Sequence, residues 1–456
     1  MTMQVVPEAA APDDQALRRE RVRAGLRRRR RAESRFKAYG IAAVAAAVAF
    51  VAVLFGTVLV KGVPAFWQAK VTLDVTFDPA VIDVGSPPVQ AAGESEATQA
   101  EAMRRWQRDV ALLDWNALIE AALRAQLPAG DYAARDLTRL VASNERYRLR
   151  DMFVDDPGLL GRTVRLDLYA DANVDVWLKG NIDRTLPDER QQLPATTRAL
   201  ADALYKDGTI RMGFAGVLFT NVDSRTSPAT AGLLGGFVGS LYMMLVVILL
   251  AVPIGVGSAV YLEEFAPRNR LTDLIEVNIN NLAAVPSIVF GLLGAAVFIN
   301  VFRLPLSAPI VGGLVLTLMT LPTIIIATRA ALKAVPGSIR QAALGLGASR
   351  TQMVFHHVLP LTLPGMLTAT IIGVAQALGE TAPLLLIGMS AFVASVPATP
   401  FDPSTALPIQ IFLWQGNENR NFFEPRTSAA IIVLLGLMIL LNTIAILLRQ
   451  RFERRW

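Results

Sequence analysis

Hydrophobic and polar positions are sorted into blocks along this chain. Uncharged stretches of about twenty or more residues, each long enough to cross about 30 Å of hydrocarbon as a helix, recur outside its middle section. They predict six membrane-spanning helices, at residues 41–60, 227–262, 277–302, 304–328, 351–379 (continuing at 381–401) and 427–448.

The section between the first and second predicted spans has the opposite character. Residues 71–226 hold 18 Lys/Arg and 24 Asp/Glu, about half of the 82 charged side chains. Apolar residues at three- and four-residue spacing predict a helix over 91–127, continued at 131–141. Runs rich in β-branched residues predict strands at 164–169 and 174–178. We therefore expect a soluble α+β domain inserted into a membrane protein.

Tryptophan is prominent in this predicted domain, at Trp106, Trp115 and Trp177. Large aromatic side chains contribute strongly to the cores of soluble domains. We expect these three to form core and not a ligand platform, and we interpret the acidic residues as a solvated face.

Composition narrows the chemistry. Of 456 residues, 53% are hydrophobic and 18% charged, whereas soluble chains carry about 25% charge. The absence of cysteine excludes disulfides and thiolate metal sites, and the two histidines are adjacent. No Gly-x4-Gly-Lys-Ser/Thr motif is present, so the chain cannot hydrolyse ATP through a P-loop. We expect no catalytic residues, no metal and no cofactor.

Both ends of the chain are basic. Residues 1–40 include the run Arg27–Arg31 just before the first span, and 449–456 carry four arginines. Such a cluster could contact nucleic acid, but beside a span it indicates a cytoplasmic end. The apolar stretch at 41–60 is also too long for a typical cleavable signal. We therefore expect cytoplasmic tails at 1–40 and 449–456, a first transmembrane helix at 41–60, an external domain at 71–226 and a membrane core at 227–448.

The segment at 333–360, between the fourth and fifth spans, carries the most informative motif. Pro336 and Ser338 favour a helix start, and a short helix over 339–346 would present a small-residue face that suits a groove in another protein. The segment resembles the "EAA" loop of ABC importer permeases. With all spacings kept, the matching residues are Gln341, Ala342, Ala343, Gly347, Leu359 and Pro360.

A wider resemblance covers residues 230–456. The stretches 235–240, 252–257, 261–264, 285–292, 377–384 and 406–414 are similar to the PstA family of permease subunits of phosphate-specific ABC importers. The resemblance implies an α-helical polytopic protein with six transmembrane helices in the type I ABC importer arrangement. It implies as partners a homologous PstC-like permease, a pair of PstB-like ATPase subunits on the EAA-like loop, and a PstS-like periplasmic binding protein. It assigns no function to the inserted domain.

Glu380 is the first candidate for the transport pathway. It is the sole acidic residue between Glu276 and Asp402 and lies about 24 Å along the fifth predicted span. A carboxylate there costs several kcal/mol unless it faces protein or water. Gly379 and Pro383 permit a helix break that would line a cavity. The alternative is a glutamate bonded to a neighbouring helix or placed at the outer interface.

Arg329, Gln376 and Thr381 complete the candidate phosphate pathway. Arg329 ends the fourth span, where a guanidinium can bind phosphate bidentately, although the same position suits anchoring at the cytoplasmic face. Gln376 stands where many members of the family have arginine, so the partner permease could supply the main anion ligand. Thr381 follows Glu380 in the signature stretch.

These features predict a permease subunit of an ATP-driven phosphate importer. We expect it in the bacterial inner membrane, in contact with the lipid bilayer and not with nucleic acid, with residues 71–226 periplasmic. Alternatives are a permease for another oxyanion or small solute and, from a different class, a membrane-anchored sensor. A secondary transporter would lack the coupling loop.

Overall fold

The computed structural model describes residues 12–89, 95–128, 130–390, 393 and 395–452. It divides into two compact units, Met1–Val60 and Lys61–Trp456. The first unit consists, where described, of most of the helix α1 (Pro12–Gly62), which contains the predicted span at 41–60. The second unit contains a small sheet and the remaining helices.

The sheet has three antiparallel strands in the order β2-β1-β3. Side chains alternate along its central strand, and Ala69, Val71, Leu73 and Val75 are buried. This period of two is the one that a half-buried strand requires. The strands are β1 (Trp67–Thr76), β2 (Thr163–Tyr169) and β3 (Ile210–Phe214).

Six helices pack with this sheet around one hydrophobic core, and together they form what we call the inserted domain, residues 67–214. Trp106, Trp115 and Trp177 are buried in that core, so their predicted core role is confirmed. The helices are α2 (Glu96–Leu112), α3 (Trp115–Gln126), α4 (Ala134–Thr138), α5 (Glu145–Asp155), α6 (Ala172–Leu178) and α7 (Ala195–Asp207).

Three local predictions for this domain were wrong. The predicted strand at 174–178 is helix α6, because the Asp171 side chain caps it by accepting from the Asn173 backbone N–H. The predicted helix at 91–127 is two helices, since Asp114 caps a second one. At 131–141 only α4 is helical. Strands β1 and β3 were not predicted.

The rest of the second unit is helical. Five helices of the described residues, α1 among them, are long and apolar enough to cross a membrane, and a bent pair makes a sixth candidate. The elements after α7 are α8 (Val217–Thr220), α9 (Leu234–Val260), α10 (Arg270–Ala283), α11 (Ser287–Gly294), α12 (Pro309–Lys333), α13 (Gly337–Gly345), α14 (Arg350–Gln352), α15 (Leu359–Gly379), α16 (Ala382–Leu386), α17 (Leu407–Gln415) and α18 (Arg420–Phe452).

Short π-helical segments extend three of these helices. They are Tyr261–Phe265 after α9, Ala295–Val301 after α11 and Met353–Val358 before α15.

The third span differs most from its prediction. The sequence predicts one helix over 277–302, but α10 and the helix formed by Ser287–Val301 meet at 102°. Pro286 lies at the break and caps α11. Proline has no N–H to donate and disfavours a helical conformation at the residue before it, which explains the bend.

Two further boundaries are corrected. The fourth span begins at Pro309 and not at 304, after a turn in which Arg303 and Ser307 adopt positive φ angles of 56° and 62°. The predicted continuation at 381–401 is helical only in α16 within the described residues.

Small residues set the packing of α9 against α12. A Cβ on Gly255 would lie 2.8 Å from Ile324, and one on Gly313 would lie 2.5 Å from Val246. Glycine at such contacts lets membrane helices approach closely and gain van der Waals contact.

A buried cation joins the inserted domain to the membrane helices. Arg426, at the start of α18, is 2% exposed and donates to the carbonyl oxygens of Ala229 and Ala231 and, at 2.8 Å, to Oε1 of Gln68. Asp175 is also buried here and accepts from the Ala69 backbone N–H at 2.7 Å. The connection is therefore polar and specific.

Candidate functional site

The loop between α12 and α15 is built around the short helix α13. Pro336 immediately precedes its first residue, Gly337. At its end Gly347 has a φ of +86°, and two hydrogen bonds close the turn, from the Gly347 N–H to the Leu344 oxygen and from the Ala348 N–H to the Ala343 oxygen. These two bonds define a Schellman motif, whose left-handed residue is usually glycine. A Cβ on Gly347 would meet nothing within 4 Å, so backbone conformation and not space requires glycine there.

A capping box starts the next helical segment. Ser349 Oγ accepts from the Gln352 N–H at 3.2 Å, and Gln352 Oε1 accepts from the Ser349 N–H at 2.9 Å. This reciprocal pair satisfies two backbone donors that a helix start leaves free. The loop is therefore a defined helix-turn-helix.

The predicted loop residues fall on two sides of this structure. Gln341, Ala342 and Gly347 are exposed, whereas Ala343 is buried against the apolar cluster beneath the loop. Leu359 and Pro360 are the first two residues of α15 and are half-buried.

Two exposed leucines extend the accessible face of the loop. Leu346 is 90% exposed and Leu344 is 47% exposed. Sequence reasoning missed them, although an apolar residue just before a Schellman glycine could have drawn attention.

Arg340 holds α13 against the membrane helices, and the sequence analysis did not single it out. Its guanidinium binds Glu264, with Nη2 2.6 Å and Nε 3.1 Å from Oε1. It also donates to the carbonyl oxygens of Leu332 and Val335, at 2.9 and 2.7 Å, at the end of α12. The Glu264 side chain is 6% exposed, so this pair is largely shielded from water and from salt.

Arg329 belongs to the same ionic cluster. It donates to Glu276 at 2.6 Å and to Glu263 at 3.2 Å, and Lys333 lies 3.7 Å from Glu263. Both carboxylates come from neighbouring elements, since Glu276 lies on α10 and Glu263 follows α9. Arg329 is thus a link among three helices in this structure.

The second part of the candidate site is the break after α15. The helix ends at Gly379, Glu380 is extended with φ −77° and ψ 133°, and α16 begins at Ala382. The sequence-based expectation of a break near Gly379 and Pro383 agrees with this geometry. A Cβ on Gly291 would lie 2.7 Å from Pro383 Cα, so α11 supports the broken segment closely.

Glu380 is half-buried, and within the described part of the chain its carboxylate has no hydrogen bond or ion pair. Gln376 lies one turn earlier on the same helix and accepts from Thr323 Oγ1 at 3.3 Å. Thr381 follows in the break and is half-buried. An uncommitted carboxylate beside an amide, a hydroxyl and a helix break can accept from a protonated ligand.

Arg329 is not part of this second group. Contacts of Gly373 with Ile324 and of Gly365 with Ala331 show that α12 and α15 run antiparallel in a fixed register. In that register Arg329 lies about twelve residues, or about 18 Å, from the level of Glu380. The four candidate pathway residues therefore divide into three at the break and one in the ionic cluster.

No group of three or more possible metal ligands occurs among the residues that the structure describes.

The structure thus combines an α-helical core of several candidate membrane spans with a structured loop helix. Residues 251–456 match the family described as "Binding-protein-dependent transport system inner membrane component", and residues 23–188 match a domain of unknown function, DUF3333. The chain belongs to this permease family, whose members are membrane subunits of transport systems and not enzymes. The predicted fold class, a polytopic permease with an inserted α+β domain, is confirmed.

Three curated proteins show how close the likeness is. The probable ABC transporter permease protein YqgI of Bacillus subtilis is 34% identical over 168 residues, which are 37% of this chain and 56% of that protein. The phosphate transport system permease protein PstA of Yersinia pestis is 31% identical over 45% of this chain and 69% of its own length. The corresponding protein PstC of Haemophilus influenzae is 30% identical over 47% of this chain and 72% of its own length. The chain thus spans little more than half of YqgI.

Proposed function

We propose that this chain is one permease subunit of an ATP-driven ABC importer for inorganic phosphate and forms half of its translocation pathway. The observation that carries the proposal is the pairing, in one permease core, of an exposed loop helix with an uncommitted glutamate at a helix break. The likeness to PstA and PstC supports phosphate as the substrate. A PstC-like permease, PstB-like ATPases and a PstS-like binding protein are the proposed partners.

The loop helix is the proposed ATPase contact. Gln341, Ala342 and Gly347 are exposed on it, and Leu346 projects almost fully into solvent. An exposed leucine on a rigid helix end can fill an apolar groove in a partner. Leu346→Asp should abolish co-purification of the ATPase, while Leu112→Asp, at a leucine of the inserted domain that is 80% exposed, should not. Equal co-purification with both variants would exclude Leu346 from the contact.

The phosphate pathway is proposed to pass the break after α15. Glu380 would accept a hydrogen bond from a protonated phosphate oxygen and repel a fully ionised anion, with Gln376 and Thr381 beside it. Arg329, bound by two carboxylates in this structure, would meet an anion only after those pairs open.

Uptake of labelled phosphate into proteoliposomes tests this pathway. We expect Glu380→Gln to lower ATP-dependent uptake or the preference for phosphate over sulfate by at least about tenfold, which corresponds to about 1.4 kcal/mol. Glu418→Gln, at an exposed glutamate outside the pathway, is the matched control. Unchanged rate and selectivity in Glu380→Gln would contradict the role of this residue. Transport of another solute but not of phosphate would favour the alternative permease.

We further propose an inner-membrane location with both termini cytoplasmic, residues 71–226 periplasmic and the core at 227–448. Helix α8, which follows the inserted domain and bonds to it through the Val217 N–H and the Tyr169 hydroxyl, also bonds to the start of α9 through the Leu218 oxygen and the Leu233 N–H. Arg340 binds Glu264 just beyond the end of α9. These points are about 40 Å apart along a 27-residue helix, which supports opposite sides of a membrane. In the cysteine-free chain, Leu160→Cys in intact cells should react with an impermeant maleimide, whereas Leu346→Cys should not.

A further inference from the structure

A largely exposed aromatic cluster lies at one edge of the inserted domain and includes a residue that flanks the domain in the chain on either side. It consists of Phe66, Trp67, Phe214 and Phe219, which we call the aromatic edge. Neighbouring rings are 5.9 to 6.5 Å apart, centroid to centroid. Trp67, Phe214 and Phe219 are 48%, 54% and 41% exposed.

Exposed tryptophan and phenylalanine side chains of the inserted domain occur at this edge and not in the other described parts of the domain. The other tryptophan and phenylalanine side chains of the inserted domain are buried in its core, and they are Phe77, Trp106, Trp115, Phe153 and Trp177. Contiguous exposed apolar surface marks a site of contact with another surface. The aromatic edge is therefore a candidate surface for contact with a partner or with lipid.

The chain places this edge at the end of the membrane helices. A Cβ on Gly62 would lie 2.8 Å from the Ser428 carbonyl carbon, so Gly62 abuts α18 where its uncharged run begins. From there one 3₁₀ segment, Val63–Phe66, leads to Trp67. At about 2 Å per residue it rises by at most about 8 Å. The interfacial layer of a bilayer is about 5–8 Å thick on each side, so a hydrocarbon boundary at Gly62 would place Trp67 inside this layer or at its outer edge.

A second connection fixes the same level independently. Phe219 lies on α8, and the neighbouring carbonyl oxygens of Leu218 and Asn221 accept from the N–H groups of Leu233 and Leu234 at 2.8 and 3.0 Å. Leu234 is the first residue of the candidate span α9. Two separate membrane helices thus hold the aromatic edge at their common boundary.

We propose that the aromatic edge inserts into the lipid interface on the side of the membrane that carries the inserted domain. Aromatic rings concentrate at this depth because they combine an apolar body with a polar or polarisable edge. The Trp67 indole N–H has no hydrogen-bond acceptor among the described residues, and lipid carbonyl or phosphate oxygens would supply one. The inserted domain would therefore rest on lipid at its aromatic edge while Arg426 holds its other contact with the helices.

Site-directed spin labelling tests the proposal directly, because the natural chain has no cysteine. Phe219→Cys and Phe214→Cys are labelled in the assembled transporter, reconstituted in phosphatidylethanolamine and phosphatidylglycerol vesicles. Leu160→Cys is the control, since Leu160 is 39% exposed and lies beyond the far end of β1, about 30 Å away along the strand.

We expect the ratio of oxygen to nickel-chelate collision rates to be several-fold higher at 219 and 214 than at 160, because oxygen concentrates in lipid and the chelate stays in water. Equal ratios at all three positions would place the edge in water and overturn the proposal. Exclusion of both reagents at 219 and 214 would show a protein contact and would also overturn it.

A second measurement does not depend on the labelled variants. Tryptophan emission of the unmodified chain should be quenched by lipids brominated near the headgroup. Trp67→Phe should remove most of that quenching, and retention of all of it would contradict insertion at Trp67.

Discussion

The two ends of the α12–α15 helix pair differ in whether their charged side chains have ion-pair partners. At the loop end, Arg340 and Arg329 are each bound to carboxylates at distances down to 2.6 Å. At the other end, Glu380 has no partner among the described residues. Ion pairs therefore link the helices at the loop end, whereas the carboxylate at the other end is unpaired within the described chain.

This difference matches two different functions, transmission of force at the loop and passage of a ligand at the break. A loop that transmits force must move with its helices, and paired charges with low exposure provide such a connection. A pathway residue must exchange partners as a ligand passes, so a strong internal partner would compete with the ligand. Measuring the free energy of unfolding distinguishes the two ends. Substitutions that remove a charge should lower stability at the loop end but not at Glu380.

The largest loss is expected at Arg340. Arg340→Met would leave Glu264 buried without its arginine partner and would remove the hydrogen bonds to the Leu332 and Val335 carbonyl oxygens, at a cost of about 3–5 kcal/mol. Thermal unfolding of the solubilised chain and hydrogen exchange in α13 would report it. Arg350→Met, in the same loop but without a hydrogen-bonded carboxylate, should change stability by less than about 0.5 kcal/mol.

The double variant Arg340→Met with Glu264→Met sharpens this result. Removing both charges avoids the unpaired carboxylate, so most of the lost stability should return. A double variant as unstable as Arg340→Met would show that the ion pair is not the source of the effect.

The position of the loop helix α13 was predictable from the sequence, but its ion pair between Arg340 and Glu264 was not. Pro336 and Gly347 determine where α13 begins and ends through their own backbone preferences, which are local in sequence. The partner of Arg340 is 76 positions away, and no local pattern distinguishes Glu264 from Glu263. The break at Glu380 was likewise predictable from Gly379 and Pro383.

The inserted domain shows the same division. The alternation of Ala69, Val71, Leu73 and Val75 was a readable strand signal that our prediction omitted. In contrast, residues 174–178 favour a strand by composition, but they form helix α6, which the Asp171 side chain caps and which packs into the core. The aromatic edge also depends on pairing between distant strands, so no spacing in the sequence could have revealed it.

A smaller loss is expected at Gly347. Its φ of +86° costs a residue with a Cβ about 1–2 kcal/mol, so Gly347→Ala should loosen the end of α13 by that amount. Asparagine tolerates this conformation better, and Gly347→Asn should lose less. Gly345→Ala, in the helix proper, should be neutral or stabilising. Equal hydrogen exchange in Gly347→Ala and Gly345→Ala would contradict the Schellman interpretation.

The inserted domain offers an intermediate case in Glu145, which is 2% exposed and pairs with the half-exposed Arg148 at 3.1 Å. Burial raises the pKa of the Glu145 carboxyl above its ordinary 4.5, against the lowering effect of Arg148. The folded domain therefore holds this proton more tightly than the unfolded chain. The resulting stability is fully present below pH 4.5 and is lost as the pH rises through the raised pKa.

Tryptophan emission can follow this pH dependence. Trp106 and Trp115 pack on Phe153, which lies on α5, the helix that also carries Glu145. A single proton changes the free energy of unfolding by at most about 1.4 kcal/mol per pH unit. Glu145→Gln should flatten the profile above pH 4.5, and Asp151→Asn, at an exposed carboxylate of α5, should not. A profile that is unchanged in Glu145→Gln would assign the slope to another group.

The smallest effect on stability is expected at Glu380, and it completes the contrast between the two ends. Glu264→Gln breaks a charge-assisted hydrogen bond and should cost about 1.5–3 kcal/mol. Glu380→Gln breaks no internal bond and keeps the size of the side chain, so its unfolding midpoint should match that of the natural chain. A large loss of stability in Glu380→Gln would mean that the assembled transporter supplies this carboxylate with a structural partner. The uncommitted charge would then be a property of the isolated subunit, and the pathway would have to be sought elsewhere on α15.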